Sequence, residues 1–128
     1  MLIKKYKIII VLLLISGLYF VSSGILKNES VVTVGVAELA MIIDGPPINF
    51  SFDIGQSLYE ILLDAQNDKK LKFSGKNYPA LGFFVTDIES LHSGDDKNLI
   101  YYINGQEANV GVSAYFPQNG DVVEWKLK

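Results

Sequence analysis

The stretch Ile48-Asn49-Phe50-Ser51-Phe52-Asp53-Ile54-Gly55-Gln56-Ser57-Leu58-Tyr59-Glu60-Ile61-Leu62-Leu63-Asp64-Ala65 decides the fold class. Its first half alternates apolar and polar residues with a period of two, the pattern of a half-buried strand. Gly55-Gln56 ends that run, and the period then changes. Leu58, Ile61, Leu62 and Ala65 fall at i, i+3, i+4 and i+7, one apolar stripe of a helix of about three turns. Ser57 and Glu60 stand three apart at its start. This is capping-box spacing, in which the serine oxygen accepts the third backbone N–H and the glutamate reaches back. A strand that hands over directly to a helix puts both kinds of element on one core.

On the N-terminal side, Val31 to Ile43 is rich in Val, Ile, Ala and Leu, and Asp44-Gly45-Pro46-Pro47 stops it. Together with Ile48 to Ile54 it predicts an antiparallel hairpin. On the C-terminal side the helix should end near Asn67 to Lys70, with Lys72 to Pro79 irregular. Gly82 to Ile88 has strand composition, and Ser90 to Asn98 reads as a loop. Leu99 to Ile103 is a further strand closed by Asn104-Gly105, the strongest short hairpin signal. Glu107 to Ala114 returns as a short strand, and Pro117-Gln118-Asn119-Gly120 is a turn. Val123, Trp125 and Leu127 alternate in a last strand, which assigns Trp125 to the core. The order β-β-α-β-β-β predicts an α+β layer, one helix packed on one face of a mixed sheet.

The chain has 128 residues, no cysteine, no arginine, one histidine, and 11 lysines against 14 carboxylates. Disulfide scaffolds, cysteine zinc sites and thiol nucleophiles are excluded. Beyond residue 26 the balance is 8 lysines to 14 acids, or −6, because Lys4, Lys5 and Lys7 fall in the first segment. An acidic body without arginine argues against nucleic acid as a partner, since phosphate binding needs clustered positive charge. About a hundred residues make one small core.

Lys4, Lys5 and Lys7 precede an apolar run from Ile8 to Ile15 that resumes from Gly17 to Val21. A basic start, an apolar stretch and then small residues is the secretory signal pattern. Val21 and Ser23 fit the −3 and −1 positions of a cleavage site before Gly24. Ile25 and Leu26 extend the run far enough to span a bilayer if it is not cut. The lysines would then keep their end cytoplasmic and put the rest outside. Residues 1–26 are therefore expected to be a signal peptide or an uncleaved hydrophobic membrane helix, 27–30 a linker, and 31–128 an extracytoplasmic domain. Abundant Ile, Lys and Asn without Arg point to an AT-rich bacterial genome.

Gly82-Phe83-Phe84-Val85-Thr86-Asp87-Ile88, Tyr101-Tyr102-Ile103-Asn104-Gly105, Val110-Gly111-Val112, Asn119-Gly120-Asp121 and Val123-Glu124-Trp125 follow one another in a recognisable order. With the Gly55-Gln56-Ser57-Leu58 entry into the helix, they resemble the transcobalamin-type C-terminal domain family (DUF4430-like). The resemblance implies a β-grasp-like fold over roughly Val31 to Lys128. In the vertebrate cobalamin carriers of that family, such a domain covers one face of a bound corrinoid. The contacts come from the end of the strand before the variable loop and from the strand after it. Matched strand by strand, those positions are Ser90 and Leu91, then Leu99, Ile100 and Tyr101. The carriers have tryptophan where this chain has Leu99, and they enclose the ligand with a helical domain that has no counterpart here.

Other chemistry is sparse. His92 lies beside Ser90, Ser93, Asp95 and Asp96, where a hydrolase dyad or a cobalt ligand can be imagined. A lone loop histidine among acids is more often a solvated surface residue, and nucleophilic catalysis needs a fixed base and orienting partner. Asp95-Asp96 and Asn98 offer oxygen ligands without the alternating pattern of a calcium loop. Tyr78, Phe83, Phe84, Tyr101, Tyr102, Tyr115 and Phe116 concentrate in the C-terminal half. Alternation allows one of Tyr101 and Tyr102, and one of Phe83 and Phe84, to face the core. The outward members offer an aromatic surface to a flat ligand or a partner. The sequence thus predicts a non-enzymatic binding module without a metal site, its ligand cobalamin, another corrinoid or another flat small molecule. The alternative is a cell-surface module that recognises a protein by its loops or by strand pairing at a sheet edge.

Overall fold

The predicted hairpin forms as β1 (Val36–Ile43) and β2 (Ile48–Asp53), antiparallel in a computed structural model that describes residues 34–128. The expected hydrophobic helix over 1–26 and the linker over 27–30 lie outside the described residues. Helix α1 (Leu58–Asn67) follows with its capping box made. Ser57 Oγ accepts the Glu60 N–H at 3.3 Å, and the Glu60 carboxylate accepts the Ser57 N–H at 2.7 Å. Leu58, Ile61, Leu62 and Ala65 are its buried residues, the stripe read from the sequence. Among the described residues no helix is long and apolar enough to cross a membrane.

The remaining strands are β3 (Phe73–Tyr78), β4 (Gly82–Ile88), β5 (Leu91–His92), β6 (Leu99–Ile103), β7 (Gln106–Glu107) and β8 (Val122–Leu127). They form two sheets and not the single one expected. The larger has the order β2-β1-β8-β6-β7, and the smaller is β3-β4-β5. The larger sheet is mixed, because β1 and β8 run parallel while its other pairs are antiparallel. Three local expectations also change. Lys72 to Pro79, expected to be irregular, contains β3. This edge strand exposes Ser74, Lys76 and Asn77 and so carries no apolar period. The expected loop contains the short β5. The expected return strand from Glu107 to Ala114 shrinks to β7, and a 3-10 turn at Val112–Ala114 follows it.

One turn and one bulge explain how the pieces join. Asn104 and Gly105 both have positive φ, 51° and 83°, as a two-residue hairpin turn between β6 and β7 requires. At Ser74/Gly75 a bulge interrupts the β3–β4 register. A Cβ on Gly75 would lie 2.1 Å from the Phe84 carbonyl oxygen, so only glycine fits there.

Leu39, Met41, Phe50, Phe52, Val123 and Trp125 from the larger sheet share one buried cluster with the α1 stripe, Val85 and Ile88 of β4, and Val112. Each such side chain contributes roughly 1.5–3 kcal/mol when fully buried. An aromatic trio ties α1 to the smaller sheet. The Tyr59 ring lies 4.6 Å from that of Phe83 and 6.1 Å from that of Phe73. Phe83 therefore takes the helix side of β4, which sends Phe84 to the other.

Candidate ligand-binding groove

On the side of β4 away from α1, Phe84 meets Tyr78 of β3 edge to face, with centroids 5.6 Å apart and planes at 84°. Pro79 and Ala80 make the tight turn between the two strands, closed by the Leu81 N–H donating to the Tyr78 carbonyl at 3.1 Å. Ala80 sits at φ +66°, a left-handed conformation that costs an L-residue about 1–2 kcal/mol. The turn holds two large apolar side chains in water, Tyr78 at 45% exposure and Leu81 at 60%. Together with Phe84, Val85, Leu99 and Ile100 they line a largely apolar cavity of about 370 Å³.

Thr86, Ser93 and Asn98 lie at the other end of this groove and also line a second, polar cavity of about 400 Å³ that shares Tyr78. Lys76, Lys97, Asp87 and Asp95 complete the second cavity, so its charges balance. Among the described residues neither lysine makes an ion pair. Asp87 accepts from Thr86 Oγ1 at 2.6 Å, from His92 Nδ1 at 3.0 Å and from Ser74 Oγ at 3.0 Å. These bonds, that from Thr86 foremost, hold its carboxyl below the usual carboxylate range. The Ser93 backbone N–H donates to the Thr86 carbonyl at 2.7 Å, while Ser93 Oγ accepts the Leu99 N–H at 2.9 Å. Ser93 thereby fixes the groove's polar end between β4 and β6.

The groove combines two of the five residues singled out in the sequence, Leu99 and Ile100. The other three lie elsewhere. Ser90 Oγ faces Asp44 at 3.3 Å, and Leu91 is half-buried against the core. Tyr101 is 6% exposed and its hydroxyl donates to the Val110 carbonyl at 2.7 Å. Burial pushes its phenol up to about 12. Tyr102 is the outward member of its pair, with Lys126 Nζ 5.0 Å above its ring. Tyr78 and Phe84 belong to the aromatic set noted in the sequence, but Leu81 carries no sequence signal beyond its place after a Pro-containing turn.

His92 is exposed and paired with Asp87 alone. Neither neighbouring serine is offered to it as a nucleophile, since Ser90 bonds Asp44 and Ser93 takes the Leu99 amide. Among the described residues no group of three or more His, Cys, Asp or Glu side chains is arranged to hold a metal ion.

Residues 55–128 match the family described as domain of unknown function (DUF4430). Haptocorrin in complex with Cbi is one similar solved structure, with TM-score 0.60 and 18% identity over 73% of this chain. The match spans about a quarter of the haptocorrin chain, 25%. A candidate metal binding protein from Ruminococcus gnavus ATCC 29149 is another, with TM-score 0.50 and 21% identity. It covers 73% of this chain and 95% of that one. No curated protein matches the sequence.

Proposed function

The chain belongs to the DUF4430 family, and from that membership we propose that it is an exported, non-catalytic binding module whose site is the groove between β3, β4 and β6. The observation that carries this reading is the join of an apolar cavity of about 370 Å³ to a polar, charge-balanced one. Each is of the size that small-molecule sites have. Tyr78 and Phe84 offer an aromatic wall to a flat apolar face. Asn98, Thr86 and the two lysines offer hydrogen bonds to a polar rim. A ligand with a flat body and an uncharged, amide-like or hydroxylated periphery satisfies both halves. Corrinoids have that character, and the likeness of fold to haptocorrin makes them the first ligands to try.

On this reading the binding residues are Leu99 and Ile100 with Tyr78, Leu81 and Phe84. The groove is open, so affinity rests on one face of the ligand. The basic and apolar segment from Lys4 to Leu26 supports export, whether it is cleaved or kept as an anchor.

The test is a titration of the full chain with cyanocobalamin and with dicyanocobinamide, followed by visible absorbance and calorimetry. Binding is expected, and Tyr78→Ala is expected to weaken it about tenfold, the loss of one aromatic contact. Absence of any response at high micromolar ligand refutes the corrinoid assignment. Binding indifferent to Tyr78→Ala refutes the groove.

A further inference from the structure

A second surface lies on the opposite edge of the larger sheet, along β2. The Ile54 N–H donates to the Gly35 carbonyl at 2.9 Å, and the register continues as Ala37 with Phe52, Leu39 with Phe50 and Met41 with Ile48. On the other side of β1, Ala40 donates to Asp121 and the Glu38 carbonyl accepts from Gly120. The alternation is therefore fixed. On β2, Phe50 and Phe52 bond inward to β1, while Asn49 and Ser51 turn both backbone groups outward from the edge. No other described residue hydrogen-bonds to those four groups.

The open edge is short and closed at both ends. Pro46-Pro47 precedes it, and Pro has no N–H to offer. At the far end Gln56 takes both outward groups of Asp53. Its side chain accepts the Asp53 N–H at 2.9 Å, and its own N–H donates to the Asp53 carbonyl at 3.0 Å. Beside this edge runs a trough of about 340 Å³ lined by Ser51, Phe52, Asp53, Gln56, Asp64 and Asp68. Three acidic residues thus line it: Asp53 of β2, Asp64 of α1, whose carboxylate accepts from Gln56 Nε2 at 2.8 Å, and Asp68, the C-cap of α1. Lys70 pairs with Asp68 at 3.4 Å in an exposed contact, and among the described residues the other two have no cation.

We propose that the β2 edge and its trough take a short, extended, basic peptide segment of a partner protein, added as a sixth strand beside β2. Asn49 and Ser51 supply the main-chain pairing. The carboxylates of Asp64 and Asp68, on the helix side of the edge, select lysine or arginine at alternate positions of the incoming strand, whose side chains repeat every second residue. A second copy of this chain is the wrong occupant. Antiparallel pairing through Asn49 and Ser51 would set Asp53 of each copy opposite Pro47 of the other and leave both acidic troughs without a cation. The site is independent of the groove between β3, β4 and β6.

The probe is a labelled hexapeptide, acetyl-(Lys-Val)₃-amide, titrated into the full chain at low salt and followed by fluorescence anisotropy. Two controls are the same peptide with Glu for Lys and the same peptide with alternate backbone nitrogens methylated. Both are expected to bind at least about tenfold more weakly, the first for lack of ion pairs and the second for lack of main-chain donors. The double variant Asp64→Lys, Asp68→Lys is expected to reverse the preference between the Lys and Glu peptides. Ser51→Pro, at a position whose N–H faces solvent, is expected to abolish binding. If it fails to fold, the methylated peptide still decides. Equal binding of the Lys and Glu peptides overturns the proposal, and so does indifference to methylation. No binding at millimolar peptide overturns it as well, as does self-association of the chain through β2 in its place.

Discussion

Asp121 is 8% exposed and its carboxylate accepts three hydrogen bonds, so its replacement has a calculable cost. The Tyr115 hydroxyl donates at 2.5 Å and the Gln118 N–H at 2.9 Å, both to one oxygen. The Asn104 amide donates to the other at 2.8 Å, and its own oxygen accepts the Val122 N–H. This cluster joins the β6–β7 turn to the start of β8. In Asp121→Asn one oxygen remains for three donors. The oxygen shared by Tyr115 and Gln118 can stay in place, so losing the Asn104 bond outright costs about 1.5 kcal/mol and removing the charge from the other two costs about 0.75 kcal/mol each, about 3 kcal/mol together. With a urea dependence of about 1.5 kcal/mol per M, the unfolding midpoint should fall by about 2 M at pH 7.

The pH dependence provides a second check. Burial pushes the Asp121 carboxyl up, but the bonds from Gln118, Tyr115 and Asn104 together outweigh it and hold the group below the usual range. A depressed folded pKa means the stabilisation is fully present above the unfolded value of about 3.9 and is lost as pH falls through the folded one. A protonated Asp121 also has only one free acceptor oxygen, so it comes to resemble asparagine. The gap between the wild-type chain and Asp121→Asn should therefore shrink as pH falls below about 4. Other carboxylates titrate in both proteins and cancel in the difference. Urea melts at pH 7, 4 and 2.5 measure it. A gap below about 0.5 kcal/mol at pH 7, or one unchanged at pH 2.5, refutes the argument.

Two further substitutions test the fold. Ser57→Ala removes the side-chain half of the capping box at a buried N-terminus and should destabilise the chain by about 1 kcal/mol, read from urea melts, with helix content otherwise kept. Gly75→Ala drives a methyl into the Phe84 carbonyl at the bulge. It should cost more than about 3 kcal/mol by the same measurement and loosen the wall that Phe84 gives the groove.

What was legible in the sequence was local. The change of period at Gly55 announced the strand and helix, and the Ser57–Glu60 spacing fixed where the helix starts. Asn104-Gly105 marked its turn, and alternation put Trp125 inside at 3% exposure. Each signal depends on neighbours within a few residues. β3 was illegible because an edge strand of Ser, Gly, Lys and Asn buries too little to leave a period. The division into two sheets was illegible because the Tyr59, Phe73 and Phe83 cluster that ties α1 to the smaller sheet joins segments distant in sequence. The groove is a tertiary object of the same kind. Ile100 enters it only because β6 lies beside the β3–β4 hairpin, whereas alternation sets Leu99 and Tyr101 on the core face, where Leu99 also borders the groove.

The parallel pairing of β1 with β8 has a consequence for how the molecule is made. The strand that occupies the centre of the larger sheet is made after the four strands it joins there, and more than 70 residues separate it from its partner β1. Until Val123 and Trp125 arrive, the β1–β2 hairpin and the β6–β7 hairpin have nothing between them, and the core face of each stays wet. Such distant pairing makes folding slow and concentrates cooperativity at its final step. Until β8 is made, the larger sheet cannot close. If the N-terminal segment leads the chain across a membrane, it arrives as an unfolded thread and closes on the far side.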